Sequence, residues 1–457
     1  MPLQPSVALE TDLYHVDAAY IAWRNNLTDT ATFDLYIRST PFGGGFLLFA
    51  GLQPAIEYVE AFAYSASDID FLRSLDRYDT GFLTMLSGLR FTGEILAFEE
   101  GDIAFPNEPL LRVSAPFIEA LLIESGLLRA IGVSSLIATK AARMTLVARG
   151  ASLADFSLRR AHNPFVASRA SFIGGFHSTS FVDAARHYGI PATGTIPHAL
   201  VQAFPDELTA FHAVTATFPS YSLLVDTYDL ANGIRHAIEV GQDSRDHRLQ
   251  AVRLDSGDLD TGSRLIRTEL DAAGLTGVSV LVSGDIDEHR IDALLTAGAP
   301  IDGFGVGGNL GVGLGTVDSG TVGGVLGAVY KLAAYGTDAS VARMKIAGDK
   351  STLPGRKRPL RVANYNHDII QLEHEPAQAN SRHLLTPVMR EGTVVYNFPT
   401  LIETRTRALD SLSALPPKFS TLTTDTDYPV HLSDELQQLT RHTVQRIESD
   451  NEPSSRS

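Results

Sequence analysis

The chain has 457 residues, 44% of them hydrophobic and 20% charged, and a formal net charge of −16. That is apolar material for roughly two or three packed domains, and a charge balance opposed to the basic stripes with which proteins neutralise nucleic-acid phosphates. With no cysteine, disulfides, thiolate nucleophiles and Cys-ligated metal sites are excluded. Residues 1–17 show no basic stretch followed by an apolar one, so a soluble cytoplasmic protein without a membrane span is expected.

In chain order, Thr11-Asp12-Leu13-Tyr14 opens a helical pattern in which Thr11 or Asp12 is the N-cap and Tyr14 lies in the first turn. Thr32 to Arg38 alternates like a strand, and Pro41-Phe42-Gly43-Gly44-Gly45-Phe46 reads as a flexible loop. Three glycines can cradle phosphate, but without a following Lys-Ser or Lys-Thr they are not a P-loop. Helical patterns fill Glu57 to Leu89, a strand spans Phe91 to Phe98, and a long amphipathic helix starts near Phe117. The first domain is expected to end near residue 130, giving 1–130 as an N-terminal domain.

Between 131 and 340 short apolar runs end at Asp226, Asp255, Ser283 and Gly305, with helical patterns at Leu230–Val240, Gly262–Ala273 and Asp287–Ala297. Each interval holds a strand and a crossover helix, the mark of parallel β/α units. An α/β barrel is the preferred architecture, and an open doubly wound sheet carries the same local periodicity. In either, ligands gather at the carboxyl ends of the strands. From 341 to 447 the chain is expected to rejoin the first domain. Lys345, Lys350, Arg356, Lys357, Arg358 and Arg361 cluster there, as an exposed basic hairpin or a ligand contact. Residues 448–457 read as a disordered tail.

Several residues stand at places where chemistry is expected. In Pro191-Ala-Thr-Gly-Thr-Ile-Pro197-His198, Gly194 is expected to take a backbone conformation that a β-carbon forbids, Thr195 offers a hydroxyl and His198 a nucleophilic imidazole. Arg253-Leu254-Asp255 puts a guanidinium and a carboxylate on one side of a strand end, as an anion grip or a structural ion pair. Gly284, then Gly305-Val306-Gly307-Gly308, leave backbone N–H groups free of side chains for phosphate. Arg159-Arg160, Arg169 and the loop Gly174-Gly175-Phe176-His177-Ser178-Thr179-Ser180 add positive charge and hydroxyls. No side chains stand out as metal ligands.

The set Thr11-Asp12-Leu13-Tyr14, Pro41-Phe-Gly-Gly-Gly45, Arg159-Arg160-Ala161, Gly174-Gly175-Phe176, Gly194-Thr195-x-x-His198, Arg253-Leu-Asp-Ser-Gly-Asp-Leu259, Phe304-Gly-Val-Gly307 and Val329-Tyr-Lys-Leu332 resembles the nicotinate phosphoribosyltransferase family. The resemblance implies an irregular α/β barrel of the type II phosphoribosyltransferase kind, with a second α+β domain built from both chain ends. It implies a homodimer using ATP and Mg²⁺ to join nicotinate to 5-phosphoribosyl 1-diphosphate, giving nicotinate mononucleotide and diphosphate in NAD salvage. Carried over, His198 is the phosphohistidine, with Asp255 beside it in the catalytic set. Tyr14 stacks on nicotinate from the neighbouring subunit, while Thr195 and Arg253 hold substrate. Arg159, Gly284, Gly307 and Gly308 line the phosphate site. Threonine is common in the family where Gly308 stands, so here only a backbone N–H is on offer. The alternatives are nicotinamide phosphoribosyltransferase, or a silent nucleotide-binding relative with no need for His198, Arg253 and Asp255 together.

Nicotinamide phosphoribosyltransferase, a more distant likeness, carries aspartate where Ser180 aligns. A carboxylate accepts from an amide but repels the nicotinate anion, whereas a serine hydroxyl donates to it. The alternative is that Ser180 caps the following helix.

Overall fold

The computed structural model describes residues 6–243, 248–315 and 324–451. The chain forms two compact units: one of Met1–Leu136, Val325–Thr400 and Asp410–Ser457, the other of Ile137–Gly324 and Leu401–Leu409.

The first unit is organised on a seven-stranded sheet whose neighbouring strands are all antiparallel. Its third strand, Thr30–Ile37, pairs with Leu111–Pro116 on one side and with Ala328–Gly336 on the other, so both ends of the chain build one sheet. The strand alternates in sequence, yet Ala31 to Ile37 are all buried. Its polar members find partners inside: Thr32 Oγ1 lies 3.0 Å from Ser114 Oγ, and Asp34 Oδ2 2.7 Å from Lys357 Nζ. Phe33 stacks on Tyr330 at 4.7 Å between ring centroids. Leu35, Ile37, Leu111 and Val113 complete the middle of the core, each contributing about 1.5–3 kcal/mol by burial. Thr386–Arg390 joins the same sheet beside Glu94–Ala97.

Four local expectations change. The helix after Pro116 is two, Phe117–Leu122 and Glu124–Val147. The second is the one described helix long and apolar enough to cross a membrane, and 67% of that stretch is buried inside the protein, as in a core helix. The triple-glycine segment is packed rather than flexible, with Phe42 and Phe46 buried, and a β-carbon on Gly45 would come within 2.7 Å of the Phe419 carbonyl oxygen. In the basic stretch only Lys345 and Lys350 are exposed. Lys357–Val362 does form a hairpin with His367–Leu372, but its Lys357 and Arg361 are buried in ion pairs. The helix Asp434–Asn451 runs past 448, where the tail was placed, and 452–457 lie outside the described residues.

The second unit holds six parallel strands in the order Ser178–Thr179, Ser152–Asp155, Gly303–Val306, Ser279–Gly284, Arg248–Leu254, Ser220–Leu224. Numbered along the chain this order is 2-1-6-5-4-3, a cyclic sequence cut once. A doubly wound sheet reverses its order at a switch point; a barrel does not. The architecture is therefore an irregular α/β barrel, with its hydrogen-bonded ladder interrupted between the second and third strands. The helices Leu230–Asp243, Leu259–Ala272 and Glu288–Thr296 are the crossovers.

Candidate functional site

The strand carboxyl ends bring together the polar residues singled out above. Arg253, near the end of Arg248–Leu254, is the hub. Its Nη2 donates to Asp255 Oδ1 at 2.5 Å, its Nη1 to Thr195 Oγ1 at 2.8 Å, and its Nε to Ser283 Oγ at 2.7 Å. Ser283 Oγ in turn donates to Asp255 Oδ1. Burial raises the Asp255 pKa, but the Ser283 hydroxyl, Arg253 and His198 outweigh it, so the carboxyl is held below its ordinary value. The next strand end adds Asp226, whose Oδ2 accepts from the Asp255 N–H at 2.9 Å and from Ser256 Oγ at 2.7 Å.

His198 is the first residue of the helix His198–Ala203. Its Nδ1 lies 3.1 Å from Thr227 Oγ1, and its Nε2 3.8 Å from Asp255 Oδ2, beyond hydrogen-bond length. One ring nitrogen is engaged and the other is free, on a side chain 38% exposed. The approach to it lacks the backbone conformation expected at Gly194. Thr193 N–H donates to the Thr179 carbonyl at 3.0 Å and Ala192 bridges to Thr179, so the segment is extended. Gly194 has no positive φ, and a β-carbon there would meet nothing within 4 Å. At Gly284 the glycine argument does hold: φ is +115°, and a β-carbon would come within 2.8 Å of the Asp255 carbonyl oxygen.

Gly307 and Gly308 lie at the start of Gly308–Gly311. A β-carbon on Gly308 would approach Arg160 Cδ at 3.0 Å, so the arginine stem fills the space a threonine would take. Arg159 is exposed in the turn that follows Ser152–Asp155. Ser180 follows Ser178–Thr179, and its N–H donates to the Asp155 carbonyl at 2.8 Å. The capping alternative for Ser180 fails: Phe181 is the N-cap of Val182–Tyr188, and Thr179 Oγ1 accepts the Phe181 N–H at 3.1 Å. Tyr14, 61% exposed near the start of the helix Leu13–Arg24, belongs to the other unit.

Four residues of this neighbourhood escaped the sequence. Ser283 ties the arginine to the aspartate, and Thr227 orients the histidine. Phe156 presents its ring to the Arg253 guanidinium at 5.6 Å. Buried Asp155 collects Ser168 Oγ at 2.6 Å, Thr179 Oγ1 at 2.8 Å and the Ser157 N–H at 2.9 Å. Only a position just after or at the end of a short apolar run marked them.

Family models cover the chain in three pieces: the nicotinate phosphoribosyltransferase N-terminal domain over residues 9–132, the family itself over 151–322, and its C-terminal domain over 344–440. A nicotinate phosphoribosyltransferase of Mycobacterium tuberculosis is 41% identical over 438 residues, 94% of this chain and 92% of that one. This chain belongs to the nicotinate phosphoribosyltransferase family. The Bacillus subtilis nicotinate phosphoribosyltransferase is 38% identical, covering 94% of both chains. The crystal structure of human nicotinic acid phosphoribosyltransferase superposes with a TM-score of 0.83 at 30% identity, over 94% of this chain and 99% of that one. A Pyrococcus furiosus nicotinate-nucleotide pyrophosphorylase shares the fold, with a TM-score of 0.73 at 22% identity over 91% of this chain and 98% of that one. The polar hub thus belongs to an enzyme of the nicotinate phosphoribosyltransferase type.

Proposed function

We propose that the chain makes nicotinate mononucleotide and diphosphate from nicotinate and 5-phosphoribosyl 1-diphosphate, coupled to ATP through phosphorylation of His198. The observation that carries this reading is the linked set Thr195–Arg253–Asp255 with His198 beside it, at the strand ends of a barrel in this family. In the joining step the pyridine nitrogen bonds to ribose C1 as the C1–O bond to diphosphate breaks. Arg253, Thr195 and Ser180 hold the nicotinate carboxylate, and Tyr14 of the partner subunit stacks on the ring. Arg159 and the N–H groups at Gly284, Gly307 and Gly308 receive phosphate oxygens.

His198 accepts the γ-phosphoryl group of ATP through its free Nε2, with ADP as the leaving group, while Thr227 holds the ring. Asp255 stabilises the positive charge that develops on the imidazole. Mg²⁺ supplies neutralisation of phosphate charge. The residues fit it: Asp226 Oδ1 is buried without a hydrogen-bond partner. The Asp226 carboxylate would hold such an ion together with substrate phosphates and water. The net charge of −16 supports a well-solvated surface, and the family resemblance supports a homodimer.

Nicotinate-dependent diphosphate release, measured with and without ATP, tests the reaction; none at all overturns it. With γ-labelled ATP, the wild type is expected to carry acid-labile label and His198→Ala none, with ATP hydrolysis abolished and the far-UV spectrum unchanged. Label that persists on the Ala variant, or never appears on the wild type, overturns the phosphohistidine.

A further inference from the structure

The loop that carries Ser180 leaves the end of the helix Pro164–Ile173, where the last carbonyls have no intrahelical donors. The Gly174, Gly175 and Phe176 N–H groups close the helix on the Ala170, Phe172 and Ser171 carbonyls, Gly175 turns the chain at φ +110°, and the buried carbonyls of these same three residues are then taken up one after another. Thr145 Oγ1 donates to the Gly174 carbonyl at 2.8 Å, Arg405 Nη2 to that of Gly175 at 2.9 Å, and Arg405 Nε to that of Phe176 at 3.1 Å. Past this anchor the chain is tied to the segments on both sides. His177 N–H donates to the Leu153 carbonyl at 2.9 Å, and Leu153 N–H donates back to His177 Nδ1 at 3.1 Å. Thr179 N–H then reaches the Pro191 carbonyl and Ser180 N–H that of Asp155.

Arg405 comes from the stretch Leu401–Leu409, which joins this unit from far along the sequence. Among the described residues no carboxylate pairs with it, and burial pushes its pKa below the ordinary value. A half-buried guanidinium without a counter-ion is costly. Its guanidinium lies over the Phe172 ring, 5.3 Å from guanidinium carbon to centroid, where a methionine thioether would still meet the aromatic ring. What methionine cannot replace is a rigid two-nitrogen fork placed on two successive carbonyls.

We propose that Arg405 is a positioning residue for substrate discrimination, holding the Gly175 and Phe176 carbonyls so that the Ser180 hydroxyl meets the substrate carboxylate. This rests on the reading of Ser180 given above. Loss of such alignment costs rate and affinity far beyond the bond itself, so in Arg405→Met the KM for nicotinate is expected to rise about tenfold. The KM for 5-phosphoribosyl 1-diphosphate is expected to stay within about twofold, since no phosphate-site residue moves. Arg405→Lys, with one nitrogen in place of the fork, recovers part of the loss. Deuterium exchange at the amides of His177, Thr179 and Ser180 is expected to quicken in Arg405→Met, with that of Ser279–Gly284 unchanged. Unchanged exchange at those three amides together with an unchanged nicotinate KM overturns the inference. So does a fall in every kinetic parameter in step with the folded fraction. If Arg405→Met does not fold, the same readouts on Arg405→Lys decide. Faster exchange in Arg405→Met, alongside a nicotinate preference that Ser180→Asp leaves intact, overturns instead the reading of Ser180 and, with it, the role in discrimination.

Discussion

Each unit contains an arginine–aspartate pair, and the two are built for opposite ends. In the barrel, Arg253 spreads its donors over Thr195, Ser283 and Asp255, three different elements, and its side chain is 17% exposed. In the other unit, Arg361 grips Asp368 with Nε 3.1 Å from both carboxylate oxygens and Nη2 at 2.6 Å, with both side chains buried. Tyr365 lies 4.2 Å and Phe105 5.3 Å from that guanidinium, and Tyr428 OH closes the carboxylate at 2.9 Å. The first pair keeps an edge for a ligand; the second is sealed. Ionic chemistry alone does not distinguish a binding group from a strut. The number of acceptors over which the guanidinium spreads its donors, and the access of water, do.

The largest effect should come from removing the open guanidinium. Arg253→Met is expected to lower kcat/KM for nicotinate about a thousandfold, since one charge contact at about 4 Å and an effective dielectric near 20 is worth about 4 kcal/mol. Its thermal midpoint should change little. A variant that keeps its rate, or loses rate only as it unfolds, would make Arg253 a strut like Arg361.

Adding a charge where the nicotinate carboxylate is proposed to sit sharpens the contrast. Ser180→Asp is expected to lose nicotinate preference by several hundredfold, because the new carboxylate repels the substrate anion by roughly 4 kcal/mol. Competition between nicotinate and nicotinamide on both variants measures it. An unchanged preference in a folded protein places the discrimination elsewhere.

For the sealed pair the expectation is inverted. Arg361→Met leaves Asp368 and Glu108 buried without their cation and should cost about 3–5 kcal/mol of stability. Below the melting transition its kinetic constants should match those of the wild type. Denaturant titration with parallel assays checks this, and a KM change at full folding would contradict it.

The smallest effect concerns protons. Burial holds the Glu108 carboxyl well above its ordinary range and Asp368 pushes it further, against the opposing pull of Arg361 and the Phe105 N–H. A carboxyl with a raised folded pKa takes up a proton on folding, so its contribution is full below the ordinary carboxylate range and declines as pH rises towards the folded pKa. Glu108→Gln removes that decline. Melting curves from about pH 4 to about pH 8 should therefore show a shallower fall for the variant, and equal slopes would show that Glu108 is ionised throughout.

The barrel was legible because each of its later strands is a short apolar run cut off by Asp, Ser or Gly, and the hub was legible because Arg253 and Asp255 lie two residues apart. What the sequence hid depends on distance along the chain. Arg405 meets Phe176 across 229 positions, and Lys357 and Asp34 lie in segments that share no local pattern. The basic stretch looked like surface because its anions lie outside it, at Asp368 and Glu373 across the hairpin and at Asp34 far along the chain. Gly194 misled for another reason: glycine permits a left-handed backbone but does not require one. The order 2-1-6-5-4-3 is a property of pairing, which local periodicity does not contain.

That order leaves one gap in the ladder, between Ser178–Thr179 and Ser220–Leu224, and the chain that spans it carries His198. A closed barrel ties strand number, tilt and stagger together, so a residue gained or lost between strands is felt all around the ring. Here, apart from the bridge at Ala192, no register in the sheet depends on the length of the chain from 181 to 219. For the register of the barrel alone, a change of length is thus cheapest on the stretch bearing the proposed nucleophile, provided it leaves Thr195 and His198 in contact with Arg253 and Thr227.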